Sequence, residues 1–302
     1  MKRKIFIFSS ITLVVIVLWY LLLKPYDYNI IINANTSQGT CFQSILDWNE
    51  TLKKKRHIST DIDTKENFHS IHQSIVLESY SLDLHWNIKI KNDSTTIILL
   101  GIKNKTNSVK DRIEKLFRRS KLNEIINDEI TSFNAGFLKH LDEFKVTING
   151  LEKSPETYVA YVNIKSNQKD KAGKMISNSP YINIFLQENN IKLESHPFLE
   201  IKKWDANSTE LDFNFCFPIK KTDNFPKHKE IKYKKVISKP SIKATFNGNY
   251  SISDRAWYAI HQYAKKNNIK LKPTLIEVFY NNPHLGEDEL NWKAESYILT
   301  NN

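Results

Sequence analysis

Glycine is scarce in this chain of 302 residues, with seven in all, at 39, 101, 136, 150, 173, 248 and 286. No two are close enough for a Walker loop or a GxGxxG turn, so glycine-built phosphate cradles are excluded. Cysteine is scarcer still. Cys41 and Cys216 lie far apart and neither has a CxxC partner, so zinc fingers and iron–sulfur clusters lack ligands and a structural disulfide is not expected. No run of one residue type marks a disordered tail, and 40% hydrophobic with 12% aromatic residues is enough for about two modest cores.

What the chain has in excess is positive charge, 44 basic against 33 acidic residues, a formal +11. The lysines are scattered, with denser runs at Lys53–Arg56 and Lys227–Lys235, and no helix-turn-helix or zinc-finger pattern accompanies them. A solvated lysine-rich surface is the reading, with weak attraction to an anionic membrane and no nucleic-acid partner.

One long apolar run opens the chain. Ile5 to Leu23 carries no charge, spans about 28 Å as a helix, and ends beside Trp19 and Tyr20, where interfacial aromatics belong. Lys2, Arg3 and Lys4 flank it, so the N-terminus is expected in the cytoplasm and the rest outside, in a single-pass protein of the cell membrane. A cleavable signal peptide is the rival, but no small-residue cleavage site follows between Trp19 and Tyr28.

Alternation predicts a strand from Tyr28 to Asn33, another at Ile71–Glu78, and a hairpin in which Leu84, Trp86, Ile88 and Ile90 share a face before the return at Thr95–Ile102. Ile126, Ile130, Phe133, Phe137, Leu141 and Phe144 recur at helical spacing and predict a long closing helix. His69 and His72 would share a face only on a helix. In a strand they diverge, so no metal site is expected there. Strand, short helix, antiparallel strands and long C-terminal helix, over most of residues 26–148, resemble the START-like fold of the polyketide-cyclase or SRPBCC superfamily. That resemblance implies a helix-grip architecture with a ligand cavity, not a reaction.

The remainder repeats itself. Asn189-Asn190-Ile191-Lys192-Leu193 recurs unchanged at Asn267–Leu271, Leu199-Glu200-Ile201 matches Ile276-Glu277-Val278, and Glu210-Leu211-Asp212-Phe213 matches Glu289-Leu290-Asn291-Trp292. Each copy reads strand, helix, strand, strand. In the first copy Tyr158–Ile164 is the opening strand and Tyr181–Glu188 the helix, with Pro180 in its first turn. In the second, Ser241–Gly248 is a strand, Ser253 caps a helix bearing Trp257, Ile260 and Ala264, and Asn267-Asn268 ends it. Lys272–Tyr280 and Leu290–Leu299 follow as paired strands.

Pro273-Thr274-Leu275-Ile276-Glu277-Val278-Phe279-Tyr280, Asn282-Pro283, and Glu287-Asp288-Glu289-Leu290-x-Trp292-Lys293-Ala294-Glu295-x-Tyr297 resemble the GyrI-like family, the effector-binding domain of many bacterial AraC-type and multidrug-sensing regulators. The resemblance implies two units related by pseudo-twofold symmetry with a ligand groove between them and an acidic ligand contact at Glu295. A proline common near the end of the last strand is here Leu299, although Pro218 holds the similar place in the first copy.

Strand alternation puts Trp292, Ala294 and Ile298 against helices and turns Glu295 and Tyr297 toward the groove. Ile276 and Val278 as core would leave Leu275, Glu277 and Phe279 facing that same groove. By the repeat, Cys216 occupies the place of Glu295 in the first copy. The candidate ligand residues are therefore Glu295, Glu277, Tyr297, Phe279 and Cys216. Tyr250, Trp257 and Tyr258 are read as core or surface.

The expected architecture is α+β: residues 1–25 a cytoplasmic tip and transmembrane helix, 26–150 a START-like domain, 151–302 a GyrI-like domain. The expected role is binding or sensing a small organic ligand, cationic or apolar, without a DNA-binding domain or cofactor. The alternatives are a small-molecule hydrolase, in which a buried groove glutamate of raised pKa acts as base near Tyr297, and a non-catalytic interaction scaffold.

Overall fold

The computed structural model describes residues 2–301 apart from 118, 206, 207, 223, 284, 285 and 287. Glu287 of the sequence motif therefore lies outside the described residues. The fold is mixed α+β with two antiparallel sheets, and the chain divides into two compact units: Met1–Asn35, Cys41–Lys91 and Thr95–Leu138, then Thr36–Thr40, Asn92–Ser94 and Lys139–Asn302.

The first unit begins with α1 (Lys2–Leu18), which continues through one π-helical turn, Trp19–Leu23. The stretch Lys4–Leu23 has a mean hydropathy of 2.6, long and apolar enough to cross a membrane. A π turn leaves its last carbonyls turned out of the ordinary ladder. Arg112 supplies the donors. Its Nη1 reaches the carbonyls of Tyr20 and Leu21 at 2.8 and 3.0 Å, and its Nη2 reaches that of Lys24 at 2.6 Å. Its Nε donates to the buried Asp27 carboxylate at 2.5 Å. Asp27 also accepts from the Ser108 hydroxyl and the Asn104 backbone N–H.

After the anchor segment come β1 (Tyr28–Ala34), α2 (Gln38–Lys55), β2 (Thr60–Glu66), β3 (Ser70–Leu77), β4 (Tyr80–Ile90), β5 (Thr96–Asn104), α3 (Ser108–Leu116) and α4 (Lys121–Asp142). The sheet order is β1-β5-β4-β3-β2. The expected β4–β5 hairpin is present, whereas β2 has too little hydrophobic periodicity to be read in advance and α3 was not anticipated. Trp48, Trp86 and Phe133 pack edge to face or tilted at 5.4–5.8 Å, and the Trp86 indole N–H donates to Gln73. His69 lies in the turn before β3 and His72 within it, its ring 4.2 Å from that of His85.

The second unit holds β6 (Phe144–Lys153), β7 (Thr157–Asn167), α5 (Lys171–Glu188), β8 (Phe198–Trp204), β9 (Glu210–Ile219), β10 (Lys232–Val236), β11 (Pro240–Gly248), α6 (Arg255–Lys266), β12 (Leu271–Phe279) and β13 (Lys293–Thr300). One eight-stranded sheet runs β10-β7-β9-β8-β12-β13-β11-β6. Phe144, expected to close the stripe of the long helix, instead opens β6, which pairs with β11.

The first-copy helix is also longer than expected. It starts at Lys171, so Pro180 lies inside it rather than in its first turn, where it forgoes the bond to the Ile176 carbonyl. Buried Lys171 and Met175 explain the extension: the segment before Pro180 has its own face to pack. In the second copy the N-cap is Asp254, one residue after the expected Ser253.

The repeated Asn-Asn pairs do what their chemistry suits. Asn190 and Asn268 adopt left-handed φ values of 53° and 54°. The N–H groups of Ile191 and Ile269 then reach back to Leu186 and Ala264 at 2.8 and 2.9 Å, and Asn189 and Asn267 cap Phe185 and Tyr263 through their side-chain amides, both at 2.8 Å. Because a Cβ-bearing residue without a local polar side chain pays for φ near +54°, Asn190→Ala and Asn268→Ala should each cost about 1 kcal/mol in chemical denaturation, and the glycine variants should not. Unequal losses between the two positions would mean that the ends are not energetically alike.

Candidate functional site

Helices α5 and α6 pack on one face of the second sheet. Leu275 and Phe279 of β12, Ala294 and Ile298 of β13, and Phe215 and Phe217 of β9 share that face with Met175, Ile182, Trp257 and Ile260. The other face gathers Val159, Phe198, Cys216, Ile276, Val278 and Tyr297. This corrects the face expected for β12. Leu275–Phe279 is buried on both sides, so Ile276 and Val278 point away from the helices and Glu277 and Phe279 point toward them. The five candidate residues are thus split: Glu277 and Phe279 on the helix side, Glu295, Tyr297 and Cys216 on the other.

Glu277 is fully buried and its carboxylate is met from three sides. Lys171 Nζ donates at 2.9 Å, Trp257 Nε1 at 3.0 Å and Ser296 Oγ at 3.3 Å. Lys171, also buried, donates to Ser253 at 2.6 Å and sits 4.5 Å from the centre of the Trp257 ring. The lysine is where an organic cation would have to be. Removing one member of such a pair strands a charge in the interior, so Lys171→Met should destabilise the protein by about 3–5 kcal/mol. Lys171→Met with Glu277→Gln should recover most of that loss in thermal unfolding. A double variant no better than the single one would show that the pair is not what the site depends on.

Glu295 is similarly furnished. Tyr280 and Tyr297 donate to it at 2.7 and 2.8 Å, and Lys293 and Lys243 approach to 2.7 and 3.2 Å. Burial pushes its pKa up, but the two lysines and two phenols outweigh burial and draw it down to about 2. The raised pKa that a general base would need is therefore not what this environment produces. Burial and the adjacent carboxylate hold the Tyr280 and Tyr297 phenols far above their ordinary range. Cys216 is fully buried, its thiol pushed well up first by burial and then by Glu200. That environment suits a small packed side chain rather than a nucleophile.

Because the folded-state pKa of Glu295 lies below the ordinary glutamate value of 4.5, its contribution is complete above that pH and is lost as pH falls toward 2. Glu295→Gln should cost up to about 3 kcal/mol at pH 7, and its difference from the parent protein should shrink between pH 4.5 and 2. A gap that is constant across that range, followed by chemical denaturation, would remove ionisation from the explanation.

The sequence reading missed the open space. A cleft of about 580 Å³ lies between α5, the β8–β9 side of the sheet and the segment after β12. Its walls include Met175, Ile176, Phe215, Phe217, Phe279 and Trp292; its polar groups include Ser179, Asn183, Ser195, Asn249 and the imidazole of His196. Among the described residues none of its lining groups is Asp, Glu, Lys or Arg. Tyr250, read as core or surface, lines it and packs on Phe279 and Trp292 at 4.9 and 5.5 Å. Trp292 is 8% exposed and its indole N–H is buried with no hydrogen-bond partner among the described residues. A buried donor left unmade costs about 1–3 kcal/mol, which a bound acceptor would return. Of the sequence candidates only Phe279 reaches this cleft. The signal for the others was the Phe213-Asn214-Phe215-Cys216-Phe217 alternation and a tryptophan beside a turn-rich segment.

No protein-family model and no curated protein matches the chain. Solved structures do. The EcmrR C-terminal domain is 16% identical, covering 52% of this chain and 97% of that one, with a TM-score of 0.43. A hydrolase from Listeria innocua is 12% identical over 50% of this chain and 92% of its own, with a TM-score of 0.34. The di-domain ARO/CYC protein StfQ of the steffimycin biosynthetic pathway is 8% identical over 90% and 84%, with a TM-score of 0.26. At these identities and scores none carries an argument about what this chain binds or does.

Proposed function

We propose that this protein is a membrane-anchored small-molecule-binding protein whose ligand occupies the cleft beside α5. On this reading Lys4–Leu23 spans the membrane with the basic tip inside, the rest of the first unit forms a START-like helix-grip domain, and the second unit, which takes in all of β6, forms a GyrI-like domain of two halves related by pseudo-twofold symmetry. The observation that carries the binding role is the cleft itself: about 580 Å³, walled by aromatic rings, among them that of Trp292, whose buried indole N–H has no hydrogen-bond partner among the described residues. Such a volume suits a drug-sized molecule.

The charge distribution selects the ligand class. An organic cation is held best where an available carboxylate joins the aromatic rings, and Glu277 and Glu295 are already paired with Lys171, Lys243 and Lys293. The cleft offers no carboxylate among the described residues, only hydroxyl, amide and imidazole groups. The ligand is then an uncharged, largely aromatic molecule with one acceptor for Trp292, and Phe279 is the sequence candidate that touches it. Glu277, Glu295, Tyr297 and Cys216 support the sheet rather than the ligand. The low pKa of Glu295 weighs against the hydrolase alternative.

The test compares neutral bicyclic aromatic ketones with the hydrocarbons of the same shape, by thermal shift on the detergent-solubilised full chain. The ketones should stabilise more, Trp292→Phe should abolish the difference while both still bind, and Glu295→Gln should leave the ranking unchanged. Preference for quaternary ammonium compounds, lost in Glu295→Gln, would overturn this assignment in favour of the acidic site.

A further inference from the structure

Helix α3 is amphipathic in the inverted sense. Its polar side chains face the protein: Asp111 and Arg112 are buried, Asp111 accepting from Asn104 Nδ2 at 2.5 Å and Arg112 binding Asp27 and the carbonyls that end the apolar helix. Its apolar side chains face outward. Val109 is 42% exposed, Ile113 41%, Leu116 63%, and Phe117, at its C-cap, 69%. Steps of four, three and one place all four on a single stripe.

In water this arrangement is the costly one, since charge is desolvated while aliphatic and aromatic area stays wet. It becomes favourable if the outward stripe meets something apolar. The three carbonyl bonds from Arg112 fix where that happens, because they seat α3 against the end of the helix that runs to Leu23. Leu22 and Leu23 are 63% and 73% exposed there, and Trp19 is 50% exposed. Arg119 and Lys110, the latter 3.6 Å from the half-buried Glu114 carboxylate, stand exposed beside the stripe.

We infer that α3 is a second membrane contact, its Val109–Ile113–Leu116–Phe117 stripe lying in the interfacial layer of an anionic bilayer with Lys110 and Arg119 at the headgroups. The inference rests on the anchor reading above. Lipid is the occupant because α3 is fastened to the end of the apolar helix, where Leu22 and Leu23 are also exposed, and because basic residues flank the stripe. The partner chemistry is therefore a phospholipid surface of negative charge.

The experiment uses the full chain in vesicles of phosphatidylcholine with a minority of phosphatidylglycerol. An environment-sensitive fluorophore is placed in turn at Leu116→Cys, Leu13→Cys and the exposed Lys54→Cys; the native Cys41 and Cys216 are buried. With acyl-brominated lipid, the label at 13 should lose most of its emission. The label at 116 should be blue-shifted and lose a smaller share, and the label at 54 should lose none. Ile113→Asp should restore the emission at 116 and leave 13 quenched. If 13 is quenched and 116 behaves like 54, α3 does not touch the bilayer while the anchor stands. If 13 also escapes quenching, the anchor reading fails and the α3 contact with it. If 116 is shielded from water but not quenched, and more so with more protein per vesicle, a second copy covers the stripe and the lipid contact is overturned.

Discussion

A carboxylate taken out of water has to be met by donors, and the middle of the second sheet contains two of them. Glu277 on one face and Glu295 on the other are each met by lysine from the same chain, with aromatic donors completing the shell. The attraction of each pair is offset by the cost of desolvating both charges, so these sites add specificity to the fold more surely than they add stability. Their consequence for function is direct. A charge that is already satisfied is a poor recruiter of a foreign one, and the proposed ligand contact falls instead at Trp292, whose buried donor has no partner among the described residues.

The same centre of the sheet explains which parts of the structure could be read from the residues. Helix ends were legible because asparagine at a left-handed position is a local effect, complete within five residues. The faces of β13 were read correctly, with Ala294 and Ile298 toward the helices and Tyr297 away, but those of β12 were not. Alternation identifies a face only when one side is wet, and Leu275–Phe279 is buried on both sides. Comparing Leu199-Glu200-Ile201 with Ile276-Glu277-Val278 makes the repeat look aligned, yet Leu199 and Ile201 face the helices while Ile276 and Val278 do not. The hydrogen-bond register sets Ile276 opposite Glu200. A one-residue slip of this kind exchanges every side chain between faces, so a motif that was right in order was wrong in side.

The cleft was beyond reach for a different reason. It is made by the N-terminal half of α5, which Pro180 disguised, and by residues from β9 and the segment after β12 that are distant in sequence. Proline inside a helix is read as a boundary because its cost is local and large. Here Lys171 and Met175 pack beyond it, and tertiary burial outweighs one forgone hydrogen bond. An empty volume is also a property of what fails to fill space, and periodicity reports only what is present.

The first unit turns on the same rule applied to a helix end. The π turn at Trp19–Leu23 leaves carbonyls that need donors, and Arg112 provides them, with Asp27 balancing the guanidinium charge. To do this α3 must turn its charged side inward, and a short helix with its polar side committed inward has only its apolar side left to show. The exposed stripe on α3 is therefore not an isolated oddity of the surface. It follows from the way the apolar segment is fastened, and it puts greasy side chains at the level where that segment ends, where a bilayer would supply the burial that the protein does not.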